Sequence, residues 1–129
     1  MARGVTIKIG GNKYYMVYNA EAHFRALDKY GDEAYKTVLL PTREGWDATV
    51  ELIVIALEQG ELCRRAIGHD RGEIPTAETI RAFANMNDVV FLKNKLLESM
   101  TINVNREVNE TGEVDEGLAE LEKKTQITD

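Results

Sequence analysis

Val5, Ile7 and Ile9 alternate with Thr6 and Lys8, and beyond Gly10-Gly11-Asn12 a second alternating run sets Tyr14, Met16 and Tyr18 against Tyr15 and Val17. A period of two on either side of paired glycines predicts a β-hairpin, because glycine readily takes the positive φ that a tight two-residue turn requires. A lone hairpin is marginal in water, so one face has to pack on something. The tyrosines supply the area and keep their hydroxyls at the wet edge.

From Ala20 onward the period lengthens to that of a helix. Asn19 is placed to cap a first helix, with Glu21 in its first turn and Gly31 as its stop, and Phe24, Leu27 and Tyr30 on the side expected to cover the hairpin. Asp32 is expected to cap a shorter helix carrying Tyr35, Val38 and Leu39, which Pro41 ends by biasing Leu40 toward extended geometry. A long helix starts at Thr42. Its Trp46, Val50, Ile53 and Leu57 recur at steps of four, three and four, and Leu52, Ile55 and Ala56 widen the stripe, as expected for a central helix or one in a subunit interface.

Gly60 is a point where that helix either ends or is interrupted, since Leu62, Cys63, Ala66 and Ile67 extend the apolar pattern to Gly68. Residues 69–73 are polar and predict a loop. Thr76 is the expected cap of a helix burying Ile80, Phe83 and Ala84, and Asn87 that of a last helix in which Val89, Leu92, Leu96 and Met100 repeat. After about Asn103, Val104, Val108, Val114, Leu118, Leu121 and Ile127 are too sparse to fill a core. The predicted architecture is therefore mainly α: an N-terminal β-hairpin packed on a small helical bundle (residues 1–103), followed by a disordered acidic tail (residues 104–129). Within that tail, Gly117 to Lys124 forms a weakly amphipathic stretch, and Val114, Leu118 and Leu121 are the candidate partner-binding side chains.

Charge sharpens this division. Residues 107–129 hold eight acids against Lys123 and Lys124, which accounts for the whole formal charge of −6 and leaves residues 1–106 balanced at 14 basic and 14 acidic residues. A neutral body with an acidic tail has no basic footprint for a phosphate backbone, so no nucleic-acid partner is expected. The single cysteine, Cys63, cannot form an internal disulfide and reads as a structural thiol in a reducing compartment. The longest apolar run, Leu52 to Leu57, is far below the ~20 residues that span a bilayer, and no signal-type apolar region precedes the first strand. The expectation is a cytoplasmic protein with no membrane association.

Candidate chemistry is sparse. The order His23, His69-Asp70, Asp88 is similar to the His…His-Asp…Asp ligand set of helical phosphohydrolases, in which imidazoles and carboxylates hold a divalent metal that activates water. In those enzymes the His-Asp pair follows a helical run and further acids and bases complete the site; here Asp70 is followed by Arg71 and Gly72 in an expected surface loop. Gly10-Gly11 joins two strands and lacks the later glycine and Lys-Ser/Thr of a phosphate-cradling loop, and no Ser, Cys or Thr stands in a nucleophile motif. Tyr14, Tyr15 and Tyr18 could stack bases, but a packing role fits two strands with one lysine each. No catalytic, cofactor-binding or metal-binding residue is assigned.

The hairpin Ile7-Lys8-Ile9-Gly10-Gly11-Asn12-Lys13-Tyr14-Tyr15-Met16-Val17-Tyr18, followed at once by the helix Ala20 to Tyr30 and Gly31, resembles the start of the tail assembly chaperones of long-tailed bacteriophages and gene transfer agents. That family opens with a Gly-Gly-Lys-Tyr-like hairpin and a helix ending near a Glu-x-x-Gly turn, where this chain has Asp28-Lys29-Tyr30-Gly31. The later helices are similar in kind, so the resemblance covers about residues 4–102. It implies a protein of the bacterial cytoplasm, without enzymatic activity, that holds the tape-measure protein soluble while tail-tube subunits, a further contact, assemble around it. Self-association would be compatible with this role. The alternatives are a structural virion or tail-completion protein and, from another class, the helical metal-dependent phosphohydrolase.

Overall fold

The computed structural model describes residues 4–70 and 72–111, with side chains described as far as Ile102. The elements in order are β1 (Val5–Ile9), β2 (Asn12–Met16), α1 (Ala20–Tyr30), a 3-10 turn (Gly31–Glu33), α2 (Ala34–Leu39), α3 (Arg43–Ala66), α4 (Ala77–Phe83) and α5 (Met86–Thr111). The chain is thus mainly helical with an N-terminal antiparallel hairpin, as the sequence pattern predicts. It divides into two units, Met1–Ser99 and Met100–Asp129. The described part of the second is helical, the last turns of α5, and all that follows on packing concerns the first.

In the hairpin Val5 faces Met16, Ile7 faces Tyr14 and Ile9 faces Asn12. The two turn glycines have φ of 58° and 85°, the pair of positive values that a type I′ turn demands. Val5, Ile7 and Ile9 are buried and Thr6 and Lys8 exposed, so the predicted alternation holds along β1. It fails after β2: Met16, Val17 and Tyr18 are all buried in succession. The chain leaves its ladder there and runs onto α3, where the Val17 N–H donates to the Ala56 carbonyl at 3.0 Å.

α3 is the hub, in contact with β2, α1, α2 and α4. Its Val50, Leu52, Ile53, Ala56 and Leu57 are fully buried, so Leu52→Ala or Ile53→Ala would cost about 2–5 kcal/mol. Thr42 caps it through Gly45 N–H, and the helix runs without a break through Gly60. The reason is close approach. A Cβ added to Gly60 would lie 1.9 Å from the Tyr15 carbonyl oxygen, and one added to Gly45 would lie 1.9 Å from that of Leu40. These two glycines are where the rest of the chain crosses the helix backbone.

Several inward faces differ from the sequence expectation. α1 is capped by Asn19 as predicted, but it buries Ala22 and Ala26 against α3, while Phe24 is 60% exposed and Leu27 and Tyr30 are only half-buried. Alanines four apart let two helix backbones sit close, and Phe24 is then on the far side. In α2, Ala34, Thr37 and Val38 are buried, Tyr35 and Leu39 are exposed, and no side-chain hydrogen bond caps the start, because a 3-10 turn takes up Asp32. Leu62 and Ile67 at the end of α3 are exposed too.

Around this frame, polar pairs tie the neighbours to α3. The Tyr30 hydroxyl donates to Glu51, Arg81 of α4 to Asp47, and the Asn19 amide to Gln59 at 3.1 Å. Burial and the Glu51 carboxylate push the Tyr30 hydroxyl pKa up, and the Arg81 hydrogen bond holds the Asp47 carboxyl down. α5 buries Leu92 and Leu96, yet it does not stop near Met100: its backbone stays helical to Thr111, through Val104 and Val108, which the sequence reading placed in the tail. Gly112 is the first residue after Met100 with a strong intrinsic penalty for helix. Residues 112–129, including Val114, Leu118, Leu121 and the stretch Gly117 to Lys124, lie outside the described residues.

Gly60→Ala tests the crossing. At an ordinary mid-helix position this change stabilises by about 1 kcal/mol. Here the added methyl meets a carbonyl, and the expected result in urea unfolding is a loss of about 1–3 kcal/mol. A raised midpoint would show that β2 does not press on α3 at this point.

Candidate functional site

The residues singled out for metal chemistry are in three separate settings. His23 lies on the exposed side of α1 with its ring edge-on to Tyr18 and Phe24, at centroid distances of 6.2 and 5.7 Å. His69 and Asp70 follow α3 on the exposed loop, where the His69 N–H donates to the Arg64 carbonyl at 3.0 Å. Asp88 is in the first turn of α5. Its carboxylate accepts from the Asn85 N–H at 3.1 Å while the Asn85 side chain accepts from the Asp88 N–H, also at 3.1 Å. That reciprocal arrangement is a capping box. It makes Asn85, not Asn87, the cap of α5 and gives Asp88 a structural role. Among the described residues no three His, Cys, Asp or Glu side chains gather as a metal site.

The loop after α3 is held by a residue the sequence reading passed over. Glu61, almost buried on α3, accepts from the Gly72 N–H and pairs with Arg64 at 2.6 Å and Arg65 at 3.6 Å. The Gly72 hydrogen bond, and after it Arg64, hold its carboxyl below the ordinary glutamate value against the opposing effect of burial. One carboxylate thus fixes where the 69–73 segment returns.

A more distinctive surface is built where α4, α5 and the hairpin turn meet. Thr76 caps α4 through the Thr79 N–H, and Ile80 is its single fully buried side chain, so the short helix ends with Phe83 61% exposed. After the Asn85 cap, the first two turns of α5 present Met86 and Val90, four apart, and Phe91, all exposed. The Gly10-Gly11 turn closes the other side: a Cβ added at Gly10 would be 3.3 Å from the Phe83 ring.

Between them is an open groove of about 390 Å³ with Ile9, Ile80 and Leu92 beneath, Phe83 and Phe91 as walls, and Lys8 and Asp88 at the rim. Phe83, expected in the core, is instead a wall of this groove. The signal in the sequence is Phe83 and Phe91 on either side of a helix boundary, which no single buried stripe accounts for.

No helix among the described residues is long and apolar enough to cross a membrane. Compared with protein-family models, curated proteins and solved structures, the chain has no significant match to any of them.

Two outcomes are expected. A carboxyl whose folded pKa lies below its unfolded value contributes stability that is present above the unfolded value, near pH 4.3, and lost as pH falls through the folded one. Glu61→Gln should therefore lower stability at pH 7 by about 1 kcal/mol and speed cleavage in the 69–73 loop, with the gap from the parent chain closing in acid. A gap of the same size at pH 7 and pH 2.5 would show that the charge of Glu61 is not what holds the loop. His69→Ala, at an exposed position, should change stability by less than about 0.5 kcal/mol with no associated loss of a stoichiometric metal on elemental analysis.

Proposed function

We propose that the chain is a non-catalytic tail assembly chaperone of a long-tailed phage, prophage or gene transfer agent, working in the bacterial cytoplasm by holding the tape-measure protein soluble through the aromatic groove. The observation that carries the reading is the groove itself. Phe83 and Phe91 are exposed as the walls of an open cleft with an apolar floor, and Met86 and Val90 are exposed on α5 outside it, in a chain of net charge −6. Contiguous exposed apolar surface beside a cleft is the mark of a protein-binding face, and a holdase needs that surface with enough charge to remain dissolved. The hairpin on which the family resemblance in part rests also closes one side of the groove, through Lys8, Ile9 and the Gly10-Gly11 turn. A long helical partner fits a groove of this kind because an amphipathic helix offers apolar side chains every three or four residues to a succession of chaperone copies.

Phe83→Ser and Met86→Ser should each change stability by less than about 1 kcal/mol, since both side chains are mostly in water. Together they should reduce by several-fold the soluble yield of a co-expressed tape-measure protein from the same genome. Unchanged yield with the double variant would remove the groove from the reading. Stoichiometric presence of the protein in purified particles would replace the chaperone by a structural virion or tail-completion protein.

A further inference from the structure

We propose that the groove takes an acidic amphipathic helix of the partner, with an apolar side chain between Phe83 and Phe91 and a carboxylate of that helix on the paired ammonium groups of Lys8 and Lys13. The inference rests on the docking reading above and gives the occupant its chemistry.

Lys8 and Lys13 are directly opposite each other in the hairpin register, and both are exposed. Like charges placed so, with Cβ atoms about 5 Å apart, repel and weaken the sheet. Among the residues whose side chains are described every other lysine and arginine has a partner: Arg25, Lys29, Lys36, Arg43, Arg64, Arg65, Arg81 and Lys95 each pair with a carboxylate, and Lys93 donates to the Leu40 carbonyl. Lys8 and Lys13 have neither kind of partner among those residues. Residues 1–106 balance their charges, so these two stand out as an unneutralised pair, and Lys8 is on the rim of the aromatic groove.

The groove's own acid, Asp88, is engaged in the α5 cap, and on the opposite wall Lys95 lies 5.9 Å above the Phe91 ring. An apolar cleft with Lys8 on its rim, and Lys13 facing Lys8 across the ladder just outside it, is complementary to an apolar side chain flanked by a carboxylate. A lysine on an edge strand also discourages unwanted strand pairing. That role asks for a lysine somewhere along the edge; it does not ask for two facing each other beside a cleft.

The test uses the full chain and two labelled synthetic helical peptides that share one apolar face and carry either glutamate or lysine on the flanks, with binding read by fluorescence anisotropy. Net charge alone predicts the wrong winner, because a chain at −6 attracts the lysine peptide at long range. The expected result is at least tenfold tighter binding of the glutamate peptide at 50 mM salt, with the ratio shrinking at 300 mM. The Lys8→Glu/Lys13→Glu double variant, with its fold checked by circular dichroism, should reverse the preference, and Phe83→Ser should weaken both peptides.

Equal affinity for the two peptides, or a preference that survives the reversal, would overturn the proposal. So would a Lys8→Ala/Lys13→Ala variant that aggregates with binding unchanged, which would assign the lysines to edge protection. A dimer in sedimentation that Phe83→Ser abolishes would make a second copy the occupant. If the charge-reversed variant still keeps the tape-measure protein soluble while Phe83→Ser/Met86→Ser does not, the acidic recognition falls and the chaperone reading stands. A glutamate preference without any solubilising effect is the converse.

Discussion

The backbone of β2 lies against the backbone of α3 at Gly60, and most of the first unit depends on that contact. Two strands joined by a type I′ turn have little stability alone. Here the hairpin is pressed onto a 24-residue helix, with Val17 hydrogen-bonded to the Ala56 carbonyl and the Tyr15 carbonyl filling the space that any side chain at position 60 would need. The consequence reaches the far end of the hairpin. Once β2 is fixed on α3, the Gly10-Gly11 turn has one place to go, against the Phe83 ring, and the groove acquires its second wall. Gly45 repeats the device at the other end of α3, where the Leu40 carbonyl crosses on the way out of α2.

The surface ion pairs have a different part. Arg81 to Asp47, Arg25 to Glu58 and Lys29 to Glu51 join α4 and α1 to α3, with partners that are mostly a third or more exposed, so solvent screening leaves each of them little stabilising weight. What they set is register, fixing how α1 and α4 are rotated on the hub. The stabilising weight is in the buried stripe of Val50, Leu52, Ile53 and Leu57. α4 is too short to hide both Ile80 and Phe83, and with Ile80 committed to the core, Phe83 becomes part of the surface.

The caps at Asn19 and Thr76, and the start of α3 at Thr42, are legible in the sequence because capping is local: an oxygen on one side chain meets an N–H three residues on. The hairpin was legible for the same reason. Asn85 was missed in favour of Asn87 because two asparagines stand two apart, and the acid three residues after Asn85 should have decided between them. Inward faces were harder. Phe24 and Phe83 were assigned to the core on hydrophobicity, whereas Ala22 and Ala26 won the α1 interface by being small. Whether Gly60 ended a helix or made room for another backbone depended on a strand 45 positions earlier, which no window around residue 60 contains. The groove was invisible for a similar reason, since its walls come from three elements and its lysines face each other only through strand register.

The separation in sequence between Tyr15 and Gly60 also sets a timetable for synthesis. The hairpin leaves the ribosome first, yet its dock on α3 is not made until Gly60 follows, roughly 2–9 s later at ordinary elongation rates. For that interval Val5, Ile7 and Ile9 form an apolar strand face with no helix beneath it, in a crowded cell and with both edges open. A nascent chain in this state is at its greatest risk of pairing with a neighbour on the same polysome. The facing lysines at positions 8 and 13 are then already in place, well before Phe83 and Phe91 arrive to complete the groove beside them.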